Sequence, residues 1–537
     1  MADSGICVGR IPRKKLQCQG HCLPMNVLYD TFLATHGYSG IPQDTRLLLK
    51  TLASTPGINV DALLHPTQFD RSRSPHEVSA LDVSTAIFRD LIPKHQPHAG
   101  QLKKFQRKIG NAVTKYLRSR ESYSVGPIDK ELFFDAIWRT RLDKTLLPSD
   151  RALMRSINYK FSPISEEELQ KPGKKLSFPR RTLDTSGYDF LIFQDTRVVK
   201  AHPLTTKIIR YHDPLPVISP DTFADEMQIK QHYQAIVATK SDSYFVCNSG
   251  VTQDQLVRLF PELEDRAFVV PYTLPDHRSV PIHDIPITRI IEARRSFVSV
   301  PNIKRKPEIP ADPKYIVMVS TLEPRKNFPG AIAAFERLIE RNRDEDLRFV
   351  IVGRPGWTFE KTLSAMSSGV KFGRIIHLMD LTFPELANVY RNAEALVFPS
   401  YGEGFGFTPM EALQFGTPGV VSDIPVHRWV MGDAVLYADP YDVDAVASQL
   451  ERLLYGTEAL TLRKDLLKAG DAVLDRYTVE TTSKQWRILL EGLHTRRQNR
   501  WSGLAFRQHK ADSDRDFLAP ASAVGAQYAA AREPAKN

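Results

Sequence analysis

Beyond residue 310 the apolar positions of the chain fall into a regular alternation of short continuous runs and helical stripes. The runs 315–319, 347–352, 375–378, 395–398 and 419–422 are rich in β-branched residues and predict strands. The segments 329–341, 359–366, 383–392, 409–415 and 443–454 carry apolar residues at helical spacing and predict helices. Strands that read as unbroken apolar runs and alternate with helices predict a parallel, doubly wound sheet with both faces covered. Such sheets bind ligands at the carboxyl ends of their strands.

The region ahead of this lobe is longer and less regular. Its clearest predicted strands are 25–29, 188–193, 207–211, 235–238 and 244–247, and several run into helix-start signals, such as Asn248-Ser249 before 252–256. Prolines and charges mix in Pro301-Asn-Ile-Lys-Arg-Lys-Pro-Glu-Ile-Pro310, which reads as a linker. The expected organisation is a flexible tail (1–24), a first Rossmann-like lobe with a helical insertion (25–300), the linker (301–310), a second Rossmann-like lobe (311–478), a helix (479–500) and a loose tail (501–537).

Composition narrows the class. At 537 residues the chain needs at least two lobes, and 42% apolar with 25% charged residues suit a soluble globular protein. No apolar run approaches the roughly 20 residues of a bilayer span. Arg10, Arg13, Lys14 and Lys15 precede no apolar block, so no secretory signal is read and the default location is cytoplasmic. Four cysteines make no disulfide framework; Cys7, Cys18, His21 and Cys22 cluster, but without a recognised zinc spacing they read as part of the tail. The net charge of +10 suits a polyanion, whether nucleic acid, an anionic membrane surface or a phosphorylated small molecule.

One stretch bears on the membrane. Around Leu102, Ile109, Val113 and Tyr116 the apolar residues keep helical spacing, while Lys103, Lys104, Arg107, Lys108, Lys115 and Arg118 cover the other side. A basic amphipathic helix can lie on an anionic membrane surface; a solvated helix packed on the first lobe is the plainer reading.

The chemistry concentrates in the second lobe. The predicted strand 395–398 enters Pro399-Ser-Tyr-Gly-Glu-Gly-Phe-Gly-Phe-Thr-Pro409 and then a helix. Glycines 402, 404 and 406 permit close backbone approach to a ligand, and the helix N-terminus favours an anion or hydroxyl oxygens. Two carboxylates flank the turn. Glu411 closes a potential capping box with Thr408, so it has a structural use as well as a binding one. Glu403, between glycines, is expected to be exposed and has no capping use; a solvated loop charge is its plain alternative. The dinucleotide fingerprint fails here, because Phe407 stands where the third glycine belongs, although Asp423 nearly supplies its acid.

The first turn of the lobe, Ser320-Thr-Leu-Glu-Pro-Arg-Lys-Asn-Phe-Pro329, also joins a strand to a helix that Asn327 can cap. Arg325 and Lys326 then stand beside a helix N-terminus at the ligand end of the sheet, where a diphosphate finds donors, dipole and two cations. Asp442-Val443-Asp444 resembles a divalent-cation motif but opens the helix 443–454, and first-turn acids are ordinary cap chemistry.

Taken together, Glu-x7-Glu around Gly-Phe-Gly and the upstream Arg-Lys pair resemble glycosyltransferase family 4. The match runs through Val-Ser-Thr-Leu-Glu-Pro-Arg-Lys-Asn, the 400–412 segment and Gly-Thr-Pro-Gly-Val-Val-Ser-Asp, and is strongest to bacterial mannosyltransferase-like members that build surface polysaccharides. The resemblance implies the GT-B fold, two Rossmann-like doubly wound parallel-sheet domains facing across a cleft, with the helix 479–500 crossing back to the first lobe. It implies that Arg325 and Lys326 hold the nucleotide diphosphate and stabilise the leaving group. It further implies that Glu411 accepts from ribose, that Glu403 accepts from the donor sugar, and that the backbone at Phe405, Gly406 and Phe407 contacts that sugar. Met379, in Leu378-Met379-Asp380, lies where the family cradles the base, although a glycine turn is common there in relatives. In the first lobe, His212 in Arg-Tyr-His-Asp-Pro matches a functional histidine, with Asp213 expected to orient it. Tyr38-Ser39-Gly40-Ile41-Pro42 stands at the family's first glycine loop, where relatives often show a richer glycine pair, and the resemblance implies a phosphate role for Gly40.

The implied activity is retaining transfer of a hexosyl unit, mannose favoured, from a nucleotide diphosphate sugar to a glycan or lipid-linked acceptor. No metal, no other cofactor and no nucleic-acid partner is expected, and the oligomeric state stays open. A nucleotide-sugar epimerase of the same fold and a non-catalytic glycan- or nucleotide-binding protein are the alternatives.

Overall fold

The computed structural model of the protein describes residues 24–35, 37, 40–65, 83–84, 87, 122–162, 164, 181–222, 226–278, 282–301, 303 and 305–501. The Cys7, Cys18, His21 and Cys22 cluster, the basic segment 103–118 and the stretch after 501 lie outside the described residues.

The first lobe is built on eight strands: β1 (Met25–Asp30), β2 (Ile58–Leu64), β3 (Gly126–Pro127), β4 (Asn158–Phe161), β5 (Phe190–Phe193), β6 (Thr206–Tyr211), β7 (Ser243–Cys247) and β8 (Ala267–Val269). They lie in the order β8-β7-β6-β5-β1-β2-β4-β3 and pair in parallel, except that β3 runs against β4. Val27, Leu28 and Tyr29 are fully buried, as a central strand covered on both faces requires. Helix α1 (Ile41–Ala53) returns the chain from β1 to β2. From β1 the order runs one way to β2 and the other way to β5, so this sheet reverses between β1 and β5.

The second lobe carries β9 (Tyr315–Val319), β10 (Arg348–Val352), β11 (Ile375–Leu378), β12 (Ala395–Phe398), β13 (Gly419–Ser422) and β14 (Leu436–Ala438), all parallel, in the order β11-β10-β9-β12-β13-β14. Numbered within the lobe, that is 3-2-1-4-5-6, the order of dinucleotide-binding sheets. Its crevice opens between β9 and β12, where the order reverses.

The chain crosses between the lobes twice. Tyr272 and Leu274, followed by Ile287, Ile290 and Ile291 of helix α4 (Ile287–Arg294), belong to the core of the second sheet, ahead of the Pro301–Pro310 stretch. The C-terminal helix Val479–Trp501 sends Trp486, Leu489, Leu490 and Leu493 into the core of the first. The carboxyl ends of the two sheets face each other, which is the GT-B architecture.

Two expectations about elements fail. Residues 235–238 are not a strand but the last turns of helix α2 (Glu226–Thr239), where Thr239 Oγ1 donates to the Ala235 carbonyl at 2.8 Å. Four apolar residues carry too little periodicity to tell a strand from one face of a helix. The helix after the glycine-rich turn spans Phe407–Gln414 and starts two residues earlier than expected, because Gly406 turns the chain in the left-handed region (φ 93°). Thr408 is therefore inside the helix, and no side chain caps it.

Candidate active site

At the end of β9 the chain makes a single tight turn, Pro324–Lys326, and enters helix α5 (Phe328–Asn342). Asn327 is left-handed (φ 57°) and its side chain accepts from Gly330 N at 3.1 Å, as the sequence anticipates. Its amide nitrogen donates to the Pro440 carbonyl and its oxygen accepts from Tyr401 OH, both at 2.8 Å. The turn is thus bolted to the loop after β12, and Tyr401 N donates to the Arg325 carbonyl at 2.8 Å. Neighbouring strands at the point of reversal bring Arg325 and Lys326 to Glu403.

Arg325 Nη1 donates to Glu403 Oε2 at 2.8 Å and to the Gly402 carbonyl at 3.1 Å, while Lys326 Nζ lies 2.5 Å from Glu403 Oε1. Arg325 Nη2 also pairs with Glu323 Oε1 at 2.7 Å. The Glu403 side chain is only 6% exposed, so the expected exposed loop glutamate is instead a buried one. The reason is electrostatic: two cations project into the same turn, and a carboxylate between them offsets their burial. Burial works to raise the Glu403 carboxyl, but Arg325 and then Lys326 hold it well below the usual carboxylate range. Burial pushes Glu323 upward, and burial together with the neighbouring Arg325 draws Lys326 downward. Glu403 is the ionised centre of the cluster.

Phe405 and Phe407 are buried, and both rings pack on Tyr272 at 4.8 Å between centroids, that of Phe407 in parallel. Their side chains belong to the core, and the backbone from Phe405 through Gly406 to Phe407 lines the turn. Gly404 meets the other lobe: a Cβ there would fall 2.8 Å from the His212 carbonyl and 2.9 Å from Asp213 Oδ2. Thr252 Oγ1 reaches the Gly404 carbonyl at 3.4 Å.

His212 directly follows β6 and is buried. Its Nε2 lies 2.6 Å from the Gln194 carbonyl, which only accepts, so Nε2 carries the proton; Nδ1 then accepts from Tyr272 OH at 2.5 Å. Burial, with Arg210 next, pushes the imidazole down to about 3, so it is neutral. The expected orienting role of Asp213 is not seen: its Oδ1 accepts from Leu215 N at 3.1 Å, and Tyr272 and Gln194 hold the ring. Burial raises the Asp213 carboxyl, and Arg325 is the charge that most opposes this.

Glu411 closes no capping box. One oxygen accepts from Gln43 Nε2 of α1 at 3.1 Å, across the cleft, and the other faces Tyr390 OH at 3.4 Å. Burial raises its carboxyl. Gly40 stands at the N-terminus of α1 with φ 70° and open space where a side chain would be. Met379 N donates to the Arg294 carbonyl at 3.1 Å. The glycine turn missing beside it is supplied by Asp380, itself left-handed (φ 62°) and paired with Arg354. Asp442 accepts from Ala445 N at 3.0 Å as a helix cap, and Asp444 pairs with Arg341 at 2.6 Å. Asp423 pairs with Arg428.

These contacts bring Arg325, Lys326, Glu403, Phe405, Gly406, Phe407 and His212 together, with Glu411 and Gly40 on either side of the same cleft and Met379 after β11, two strands from β9. Glu323, Tyr272 and Gln43 were not anticipated. Glu323 is adjacent to the Arg-Lys pair and was open to inference; Tyr272 and Gln43 lie in segments without any motif.

Residues 299–471 match the family model for glycosyl transferases group 1. That domain is the second lobe and holds the whole cation cluster. An O-antigen chain mannosyltransferase of Escherichia coli is 34% identical over 138 residues, 25% of this chain and 35% of that protein. A D-inositol 3-phosphate glycosyltransferase of Corynebacterium efficiens is 33% identical over 157 residues, 28% of this chain and 37% of that protein. The chain thus spans little more than a third of these relatives. A solved sucrose-phosphate synthase from Thermosynechococcus elongatus aligns over 88% of this chain and 100% of its own, with 15% identity and a TM-score of 0.48. Among the described residues no helix is long and apolar enough to cross a membrane.

Proposed function

We propose that the protein is a retaining glycosyltransferase of family 4 that moves a hexosyl unit from a nucleotide diphosphate sugar to a glycan or lipid-linked acceptor, mannose being the first donor sugar to test. The observation that carries this reading is the convergence of Arg325, Lys326 and Glu403 where the second sheet reverses, directly against His212 and Asp213 of the other lobe. Two fixed cations beside a helix N-terminus are built for a diphosphate, and they stabilise it most as it departs and gains charge. The reading therefore needs no metal.

With the diphosphate on Arg325 and Lys326, Glu403 is released to accept from the hydroxyls of the donor sugar, while Glu411 accepts from the ribose. Neutral His212 faces the same cleft with its tautomer fixed. No pair of carboxylates placed as acid and base is invoked; the departing phosphate takes the acceptor's proton on the same face of the sugar, which retains the anomeric configuration. Surface-polysaccharide synthesis is the favoured setting, in line with the O-antigen mannosyltransferase that resembles the second lobe. A screen of sugar nucleotides by nucleoside diphosphate release, beginning with GDP-mannose, tests the donor assignment; no release from any donor in the presence of glycan acceptors counts against transfer.

A further inference from the structure

The first sheet has its own point of reversal, between β1 and β5, and its carboxyl end faces the same cleft. Asp30 at the end of β1, His65 just after β2 and Gln194, Asp195 and Arg197 after β5 meet there. Arg141 enters from a π-helical turn, Trp138–Leu142, a local irregularity often found at functional sites.

Among the described residues this cluster is left unfinished. Arg197 is 0% exposed and lies over the Phe32 ring at 5.6 Å. Its Nε is ion-paired with Asp195 and, at 4.0 Å, with Asp30, while among the described residues Nη1 and Nη2 have no acceptor. Among the described residues neither ring nitrogen of buried His65 closes a hydrogen bond of good geometry, and Nε2 is 3.5 Å from Asp30. Buried donors are almost always satisfied, and a buried guanidinium whose two Nη groups lack acceptors is a demanding exception. Asp195 keeps 32% of its side chain exposed, so the cluster reaches the surface at that edge.

The cluster is also tied to the cleft. The Gln194 carbonyl, in the loop that carries Arg197, accepts from His212, and the His212 carbonyl sits under Gly404.

The geometry points to a subsite in the first lobe for an anionic oxyacid group of the acceptor, phosphoryl or carboxylate, gripped by Arg197 with His65 as a further donor. The guanidinium fork matches the paired oxygens of either group. This inference deepens the transferase reading and rests on it for the word acceptor, but the binding site itself does not.

The test is calorimetric titration of inorganic phosphate into the full-length protein saturated with nucleoside diphosphate, so that Arg325 and Lys326 are occupied. Phosphate is expected to bind, and Arg197→Gln is expected to weaken it by about tenfold or more, Arg197→Lys by less, since it keeps the charge but loses the fork. His65→Asn, which leaves the ion pairs intact, provides a variant less exposed to misfolding and should weaken phosphate by about threefold. Glycosyl 1-phosphate, a methyl glycoside of a uronic acid and a neutral methyl glycoside then separate the sources: tighter binding of the first or second names the group. Absence of phosphate binding by the nucleotide-saturated wild type overturns the subsite, as does equal binding by wild type and all three variants, or a neutral glycoside binding as well as the charged ones. Phosphate binding at Arg197 in a protein that binds no nucleoside diphosphate leaves the subsite standing and removes the transferase reading.

Discussion

Lys326 Nζ and Glu403 Oε1 stand 2.5 Å apart across the point where the second sheet reverses, so a cation suited to phosphate and a carboxylate suited to sugar hydroxyls neutralise each other. Arg325 completes the arrangement from the other oxygen of Glu403. In the proposed reading, a bound diphosphate would take over both cations and set Glu403 free for the donor sugar. Two substitutions probe that exchange, and a third probes the approach of the lobes.

Replacing Glu403 by Gln keeps the shape and removes the charge. Transfer should fall by about 100- to 1000-fold, as for loss of a transition-state contact, while nucleoside diphosphate affinity stays level or tightens because the cations have lost a competitor. Turnover and calorimetry on the same preparation check this, and a parallel loss of affinity would remove Glu403 from the sugar side.

Lys326→Ala should act in the opposite sense. Loss of a charge-assisted contact to phosphate predicts nucleoside diphosphate binding weaker by about 10- to 100-fold. Unchanged affinity by calorimetry would refute the diphosphate assignment.

Gly404→Ala tests the meeting of the lobes. The added Cβ would lie 2.8 Å from the His212 carbonyl, a backbone atom that cannot rotate away. The lobes must part slightly, so kcat should drop by about tenfold or more while the proposed diphosphate site, which lies within one lobe, keeps its affinity. An unchanged kcat would mean that the close approach at Gly404 is not the working geometry.

Acid stability follows from buried neutral histidines. Burial drives His65 and His212 down to about 3 and His427 to about 4. Their unfolded value is about 6.5, so below it the unfolded chain takes up protons that the folded protein refuses. Their contribution to stability is whole above about pH 6.5 and declines as pH falls toward the folded values, each by about 1.4 kcal/mol per pH unit. Glu403, whose carboxyl is depressed, adds its own loss only further down, below about pH 4.3. Urea unfolding at pH 7.5, 6 and 5 should show stability decreasing stepwise; a flat profile would contradict it.

Much of the second lobe was legible because strands covered on both faces leave unbroken apolar runs, as in Tyr315–Val319 and Ala395–Phe398, both found with their full extent. β2 was hidden, since Asn59 and Asp61 interrupt Ile58–Leu64 at positions facing outward. The cation pair and Glu403 were readable from local motif and helix-end physics. Their mutual neutralisation was not, because it depends on which strands become neighbours. Tyr272 and Gln43 carry no local signal at all: one joins His212 to Phe407, the other reaches Glu411, and both contacts exist only once the lobes meet.

Transfer itself is tested most directly by incubating the protein with radiolabelled sugar nucleotide and lipid-linked glycan, then assaying nucleoside diphosphate and labelled glycan together. Labelled glycan formed in step with acceptor-dependent nucleoside diphosphate release, with the donor's anomeric configuration kept in the new linkage, is the predicted result. Release of nucleoside diphosphate with free sugar or an epimer, and no label in the glycan, would contradict it.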